Sequence, residues 1–271
     1  YRCFGSEAGF GGFAEEDWSL ISDDVVLLTL QYSTQWDSLA HVGSEFDADG
    51  DGSTEIVYYN GYRAGEHVVN CENPSAHESW ARYEGVEAKR LGIENMATTC
   101  VQGRAVMIDL HAHFGREKKY VGYEDLMRVM EQDKVVVESG DMVCFHTNFA
   151  QAIVEMRGTP DKHVLENSCA GLDGRDDKLL HWITDSGLSA LIADNYAVEA
   201  YPPRPGAGRH AHLPLHEHCL FKLGIHLGEI WYLTELADWL RARGRSRFLL
   251  TAPPLRLPGA VGSPATPVAT V

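Results

Sequence analysis

The most informative stretch of the sequence is Gln31-Tyr-Ser-Thr-Gln-Trp-Asp-Ser-Leu-Ala-His41. It follows directly on Asp24-Val-Val-Leu-Leu-Thr-Leu-Gln31, whose β-branched and apolar residues predict a strand. Asp37 and His41 are therefore expected to lie near the end of a strand, where a carboxylate and an imidazole can act together as acid and base. The residue types alone leave a purely structural role open.

Strands and helices are predicted to alternate through the rest of the chain. Apolar and β-branched runs predict strands at residues 104–110, 141–147, 190–193 and 247–252. Helical spacing, with a glycine after three of the segments, predicts helices at residues 74–92, 123–132, 179–186, 216–223 and 233–243. Residues 41–60 are polar and predict a long loop. With no internal repeat and no clean boundary, residues 1–271 are predicted to form a single α/β domain.

Composition and charge exclude several classes of function. The 271 residues are 44% hydrophobic and 23% charged, which is ordinary for a soluble globular protein. The 23 basic and 39 acidic residues give a net charge of −16, and this field repels phosphate backbones, so no nucleic-acid partner is expected. No apolar run is long enough to span a bilayer, so no membrane partner is expected either. A small-molecule substrate is therefore the expected binding partner.

The cysteines and the first residue bear on the cellular compartment. The six cysteines are scattered without a C-x-x-C pair, which argues against a zinc ribbon and favours a reducing cytoplasm. The chain begins at Tyr1, so we expect the natural N-terminus to lie further upstream, and a signal peptide there stays open.

Three other patterns have weaker functional interpretations. Asp47-Ala-Asp-Gly-Asp-Gly52 imitates the start of a calcium-binding EF-hand loop, but the twelfth position, which requires glutamate, is Tyr58. A solvent-exposed acidic turn is the default interpretation. His111 and His113 follow a predicted strand, where alternation would place both on one face, near the site or away from it. The histidines in the loop at 210–212 are expected to be exposed. The sequence has no G-x-S-x-G element, so a serine nucleophile has no support.

The central segment resembles the signature H-x-G-T-H-x-D-x-P-x-H of the cyclase family, which includes kynurenine formamidase and isatin hydrolase. Thr34, Asp37 and His41 match this signature in register. The likeness continues to the C-terminus through further blocks. These are residues 57–61, 103–109, 123–126, 139–142, 193–199, 214–229, 254–259 and 262–264.

The resemblance implies a fold, an activity and an assembly. The implied fold is a swivelling β/β/α domain of α/β character. The implied activity is hydrolysis of an amide, formamide or lactam, in several members on the route of tryptophan breakdown, usually with a divalent zinc or manganese ion. Family members are often homodimers or homotetramers, so the same is expected of this chain.

Only some of the family's site residues are matched in this sequence. Asp37 matches the aspartate that bridges two metals, and His41 matches the histidine that donates and accepts protons. His216 and Glu229 match a late metal-binding histidine and glutamate. The family's two histidines of the first metal site are replaced by Gln31 and Gln35, and its proline is replaced by Leu39.

The glutamines leave three alternatives for the metal. One ion stays in the second site, on Asp37, His216 and Glu229, which offer two carboxylates and an imidazole. Alternatively, a hard cation uses the glutamine carbonyls, since glutamine is a poor zinc ligand. In the third alternative the site is metal-free.

Three functions follow from these alternatives. The first is a hydrolase in which a metal activates water and His41 moves the proton, with Trp36 and Tyr58 or Tyr59 lining an aromatic substrate pocket unless Trp36 is a core residue. The second is a metal-free cyclase or lyase, in which Gln31 and Gln35 bind the substrate and Asp37 and His41 form the acid–base pair. The third is a binding module that has lost its chemistry.

Overall fold

A computed structural model of the chain describes residues 26, 28–71 and 85–271. Short strands and helices alternate along this part of the chain. The strands are β1 (Gln35–Asp37), β2 (Ser44–Phe46), β3 (Glu55–Val57), β4 (Val68–Cys71), β5 (Gly85–Ala88), β6 (Gln102–Asp109), β7 (Lys119–Val121), β8 (Met142–His146), β9 (Ala170–Leu172), β10 (Ala190–Ala193), β11 (His226–Glu229), β12 (Arg247–Thr251), β13 (Gly262–Pro264) and β14 (Val268–Thr270). The helices are α1 (Glu94–Thr99), α2 (Leu110–Phe114), α3 (Tyr123–Asp133), α4 (Phe149–Glu155), α5 (Lys162–Asn167), α6 (Asp177–Ser186), α7 (Pro214–His216) and α8 (Thr234–Arg241).

One eight-stranded sheet organises the fold, in the order β13-β1-β11-β10-β8-β6-β12-β14. The four central strands run parallel, with helices in the segments that connect them. The strands on both flanks pair antiparallel. A parallel sheet with helical crossovers is the arrangement of α/β proteins, so the predicted α/β class is confirmed.

Apolar side chains cover both faces of this sheet. In β8, Val143 and Phe145 belong to one core, whereas Met142 and Cys144 belong to the other. Helices α3 and α6 contribute to the first core and α8 contributes to the second. Because β6, β8 and β10 are buried on both faces, their sequences contain continuous apolar runs, which is why these three strands could be predicted.

The predicted elements of the core agree with the structure. Strands β6, β8, β10 and β12 and helices α3, α6 and α8 lie where the sequence places them. Helix α6 begins after Asp176, whose carboxylate accepts hydrogen bonds from the amides of Lys178 and Leu179, and it ends at Gly187 with a φ of 68°. A carboxylate at the first position and a left-handed glycine at the last are the usual signals of helix ends.

Four local predictions need correction or fall partly outside the described residues. Residues 74–84 of the helix predicted at 74–92 lie outside the described residues. Of the remaining part, Gly85–Ala88 forms a strand instead of a helix. The predicted loop at 41–60 contains the hairpin of β2 and β3. The predicted strand at 24–31 is described only at residue 26 and residues 28–31, and 28–31 is not a strand. The helix predicted at 216–223 is a π-helical turn, Glu217–Leu223, that continues α7 and ends at Gly224.

Buried polar residues gather where the parallel strands end. His146 is the last residue of β8, Asp194 follows β10 and Glu229 is the last residue of β11, and all three are buried. Ligands of open α/β sheets usually bind at this carboxyl edge. Among the described residues, no helix is long and apolar enough to cross a membrane.

Candidate active site

Strand β1 separates polar from apolar side chains. Successive residues of a strand point to opposite faces, so Gln35 and Asp37 share one face and Trp36 has the other. Trp36 is fully buried in a hydrophobic core, its indole N–H donates to the carbonyl of Ala252 at 2.7 Å, and its ring meets Trp231 edge-on at 5.0 Å. The structure therefore places Trp36 in the core, and its predicted place in the wall of a substrate pocket is corrected.

Strand β11 brings the late glutamate to the same polar face. Gln35 and Glu229 are direct partners in the antiparallel pairing of β1 and β11, and Gln35 Nε2 donates to Glu229 Oε2 at 2.9 Å. On the opposite face, Trp36 pairs with Gly228, where an added Cβ would lie 3.0 Å from the indole nitrogen of Trp231. A side chain at this position would have to shift the Trp231 indole by a few tenths of an ångström.

His216 joins three carboxylates that are distant in the sequence. Its Nδ1 lies 2.8 Å from Oε1 of Glu199, and its Nε2 lies 3.0 Å from Oε1 of Glu229 and 4.0 Å from Oδ2 of Asp37. Burial disfavours the charged imidazole, but the hydrogen bonds to Glu199 and Glu229 outweigh burial and raise the pKa of His216 to about 10. In the absence of a metal, the ring is thus a cation among carboxylates.

Asp37 is a buried carboxylate without a hydrogen-bond donor. It is fully buried, and neither of its carboxylate oxygens has a partner within hydrogen-bond distance among the described residues. Burial raises the pKa of Asp37 to about 7, against the lowering effect of His41 and His216. Because an unpaired buried acceptor costs free energy, these oxygens are expected to serve a ligand.

His41 connects this buried group to solvent. Its Nε2 lies 3.9 Å from Oδ1 of Asp37, its ring centre lies 6.2 Å from that of His216, and its side chain is 30% exposed. A tight turn after β1, closed by the hydrogen bond from the His41 amide to the Ser38 carbonyl, brings the imidazole back over Asp37. The histidine is therefore placed to exchange protons between Asp37 and water.

The donor set fits a divalent cation. Asp37, His41 and His216 each offer one ligand atom, and these atoms lie within 4.8 Å of one another. Glu229 extends the set through its hydrogen bond to His216, and the carbonyl oxygen of Gln35 is buried without a partner. Carboxylate, carbonyl and imidazole donors together suit manganese, and zinc would use the imidazole and the carboxylates.

The two remaining predicted substrate contacts lie in different places. Gln31 is half-buried, and its Nε2, which has no partner in the described part of the chain, would lie 2.4 Å from a Cβ added at Gly262, the strand partner of Asp37. Tyr59 is half-buried, and its ring lies where a Cβ of Gly224 would be. Gln31 is thus near the polar face of β1, whereas Tyr59 packs against the end of the π-helical turn.

The other sequence candidates have structural explanations. His111 and His113 lie in helix α2, not on alternating strand positions, and His113 pairs with Asp133 at 2.9 Å. In the acidic turn, the carboxylates of Asp47, Asp49 and Asp51 cluster on the surface. There, Arg63 supplies a positive charge, 3.1 Å from Asp49 and 3.3 Å from Glu55. His210 and His212 are exposed, as predicted.

Sequence reasoning missed Glu199. This residue is 1% exposed and lies 17 positions before His216, with no spacing or motif that links the two. It belongs to the block 193–199 that resembles the cyclase family, and a glutamate close after a buried strand was the available signal.

A family model described as a putative cyclase matches residues 9–200. The chain belongs to this cyclase family. The match includes the segment from Gln31 to His41, so the resemblance predicted from that segment is confirmed. No protein with a curated description matches the chain.

Several solved structures share the fold. A crystal structure described as a novel cyclase is 29% identical, with a TM-score of 0.70 over 94% of this chain and 72% of that one. An isatin hydrolase bound to the product analogue thioisatinate is 14% identical, with a TM-score of 0.54 over 93% of this chain and 76% of that one. A predicted metal-dependent hydrolase from Bacillus stearothermophilus is 14% identical, with a TM-score of 0.51 over 99% of this chain and 85% of that one. At 14% identity, the likeness establishes the fold alone.

Proposed function

We propose that this chain is a hydrolase that cleaves a cyclic or aryl amide, formamide or lactone by activating water. The observation that carries the proposal is the buried Asp37 carboxylate, which has no hydrogen-bond partner in the described chain and lies within ligand distance of His41 and His216. A buried carboxylate without a hydrogen-bond partner beside two histidines is suited to binding and catalysis.

The metal-binding residues of the proposal are Asp37, His216 and Glu229, with manganese or zinc as the ion. When bound, such an ion acts as a Lewis acid towards a carbonyl and lowers the pKa of a water molecule. Glu229 is oriented by the Gln35 amide, and His216 by its hydrogen bonds to two carboxylates. The protein thereby fixes the donors before the substrate arrives.

His41 is the proposed proton carrier. Its imidazole lies beside Asp37 and reaches solvent, so it takes a proton from water and returns it to the leaving nitrogen or oxygen. Gln31 and Gln35 contact the substrate, since one has a free amide N–H and the other a free carbonyl oxygen among the described residues. Tyr59, half-buried beside the π-helical turn, takes the role of aromatic wall that Trp36 cannot have.

The test combines activity and metal content. The chain purified without chelator is incubated with an aryl formamide, a lactam and a lactone, and its metal is measured by elemental analysis. We expect turnover of at least one substrate class, loss of turnover after chelation and recovery with Mn²⁺ or Zn²⁺. A metal-loaded chain that cleaves none of the three would contradict the proposal.

A metal-independent cyclase or lyase is the second candidate. It is favoured by the Asp37 pKa of about 7, because an acid that exchanges its proton near neutral pH can work in a pair with a histidine 3.9 Å away. Gln31 and Gln35 would then stabilise a substrate carbonyl. Undiminished turnover after exhaustive chelation, with no metal by elemental analysis, would support this candidate, and loss of turnover would exclude it.

A further inference from the structure

Both carboxylate oxygens of Glu199 contact the segment that carries His216. Oε1 accepts from the backbone N–H of His216 at 3.0 Å and lies 2.8 Å from its Nδ1, and Oε2 accepts from the backbone N–H of Leu215 at 3.3 Å. Backbone amides can only donate, so the carboxyl group acts as an acceptor in these contacts. Because the carboxyl group accepts from the ring as well, Nδ1 of His216 carries a proton in the cationic ring and keeps it when the ring is neutral.

The other ring nitrogen faces the candidate metal site. Nε2 of His216 is the atom that lies 3.0 Å from Glu229 and 4.0 Å from Asp37. When the ring gives up its Nε2 proton and stays protonated on Nδ1, the lone pair of Nε2 becomes available to a metal cation. The tautomer of His216 therefore decides whether its side chain can act as a ligand.

The surrounding backbone leaves Glu199 little freedom. A Cβ added at Gly174 would lie 2.6 Å from Oε2 of Glu199 and 2.9 Å from the amide nitrogen of Leu215. Gly171 packs equally closely on the next residue, where an added Cβ would lie 2.6 Å from Cα of Ala200. Two glycine positions thus let the chain close over the carboxylate and hold it against His216.

We propose that Glu199 is a positioning residue, which holds the His216 ring with Nδ1 protonated and Nε2 directed at Asp37 and Glu229, and so raises the affinity of the site for a divalent cation. This inference rests on the metal site of the proposed function. The hydrogen bond to an anion increases the basicity of the opposite nitrogen, and loss of such a partner weakens metal binding about 10- to 100-fold.

The test compares Glu199→Gln with Glu217→Gln in the full chain. Glu217 is the next residue after His216, and its carboxylate binds Ser44 and Lys222 instead of the ring, so its substitution removes the same charge from the same neighbourhood. By isothermal titration with Mn²⁺, we expect about 10- to 100-fold weaker binding for Glu199→Gln and nearly unchanged binding for Glu217→Gln. Equal affinities of the two variants would overturn the proposal.

A second measurement needs no variant and covers the case that Glu199→Gln does not fold. In Zn²⁺-loaded wild-type chain labelled with ¹⁵N-histidine, NMR should show a proton on Nδ1 of His216 and none on Nε2. A proton on Nε2 would overturn the proposal.

Failure of the proposed function can be recognised separately. Weakened Mn²⁺ binding in Glu199→Gln without hydrolysis by the wild-type chain would refute the function and support the role of Glu199. Hydrolysis with equal affinities in both variants would refute only the role of Glu199, and a wild-type chain that binds neither Mn²⁺ nor Zn²⁺ would refute both.

Discussion

Gln35 and Glu229 face each other across the antiparallel pair of β1 and β11, joined by a hydrogen bond of 2.9 Å from the glutamine amide to the carboxylate. The amide nitrogen is engaged, and the carbonyl oxygen is buried without a partner among the described residues. Gln35 thus holds the Glu229 carboxylate with its amide and leaves a neutral oxygen free, among the described residues, where the family motif has an imidazole.

Restoring the family's two histidines should create a zinc site. In the double variant Gln31→His, Gln35→His, imidazole replaces the weak carbonyl donor next to Asp37, and imidazole binds zinc far better. We expect an additional zinc ion per chain by elemental analysis after dialysis against Zn²⁺. Gln132→His, at an exposed position of α3, is the control for unspecific binding. An unchanged zinc content in the double variant would show that the glutamine positions do not form a metal site.

His41→Ala should abolish turnover and leave the fold intact. The side chain is partly exposed and its proposed task is proton transfer, so its removal should lower kcat about 10²- to 10⁴-fold. The melting temperature should stay close to that of the wild type, since the residue is not part of the core. The exposed His181→Ala should retain wild-type kcat. A fully active His41→Ala variant would exclude the proposed role.

Asp37→Asn should stabilise the metal-free chain while it abolishes cation binding. The pKa of Asp37 is raised from 3.8 to about 7 in the folded chain, so its contribution to stability is present below about pH 4 and lost as the pH rises through about 7. In chelated protein, the free energy of unfolding should fall over this range in wild type and fall less in Asp37→Asn. Added Mn²⁺ should stabilise only the wild type. Parallel pH profiles of the two chains would contradict this explanation.

Asp109→Asn should show the opposite dependence on pH. Against the effect of burial, hydrogen bonds from His146 at 2.9 Å and Arg241 at 2.7 Å lower the pKa of Asp109 from 3.8 to about 2. Its contribution is complete above about pH 4 and lost as the pH falls through about 2. Denaturant unfolding should show a loss of about 2 kcal/mol at neutral pH that vanishes in acid. The exposed Asp185→Asn should leave stability unchanged at both pH values.

Trp36→Ala should be a stability variant. A fully buried indole in a core contributes mainly packing, and its truncation should lower the free energy of unfolding by about 3–5 kcal/mol. Chemical denaturation measures this loss, and the fraction that remains folded should keep the wild-type KM. An altered KM with unchanged stability would instead return Trp36 to the substrate pocket.

The fold was predictable where burial makes the sequence regular. Strands β6, β8, β10 and β12 stand out as apolar runs, α3 begins with the acidic residues Glu124 and Asp125, and α6 lies between the capping Asp176 and Gly187. Strands β1 and β11 were not predicted, because they are short and carry polar residues on one face. The π-helical form of the turn at Glu217–Leu223 has no pattern in the sequence that distinguishes it from an α-helix.

The candidate site was predictable in part, and mainly through the family resemblance. Asp37, His41, His216 and Glu229 do come together, although nothing in their spacing joins the first pair to the second. Glu199 was not predicted, because only the tertiary fold brings it into contact with His216. Trp36 was predicted to line the pocket because it lies between Gln35 and Asp37 in the sequence. In a strand, however, alternate side chains point to opposite faces, so Trp36 points away from its two neighbours.

This alternation has a consequence for how the protein tolerates change. A slip of β1 by one residue would turn the Trp36 indole towards the carboxylates and press Asp37 into the apolar layer around Trp231, at a cost of several kcal/mol. Burial of the Trp36 indole on the apolar face therefore fixes the register of β1 that keeps Gln35 and Asp37 on the polar face. The alignment of Asp37 should therefore survive exchanges in the loops on either side of β1, whereas an insertion between Ser38 and His41 would displace the imidazole that lies over Asp37.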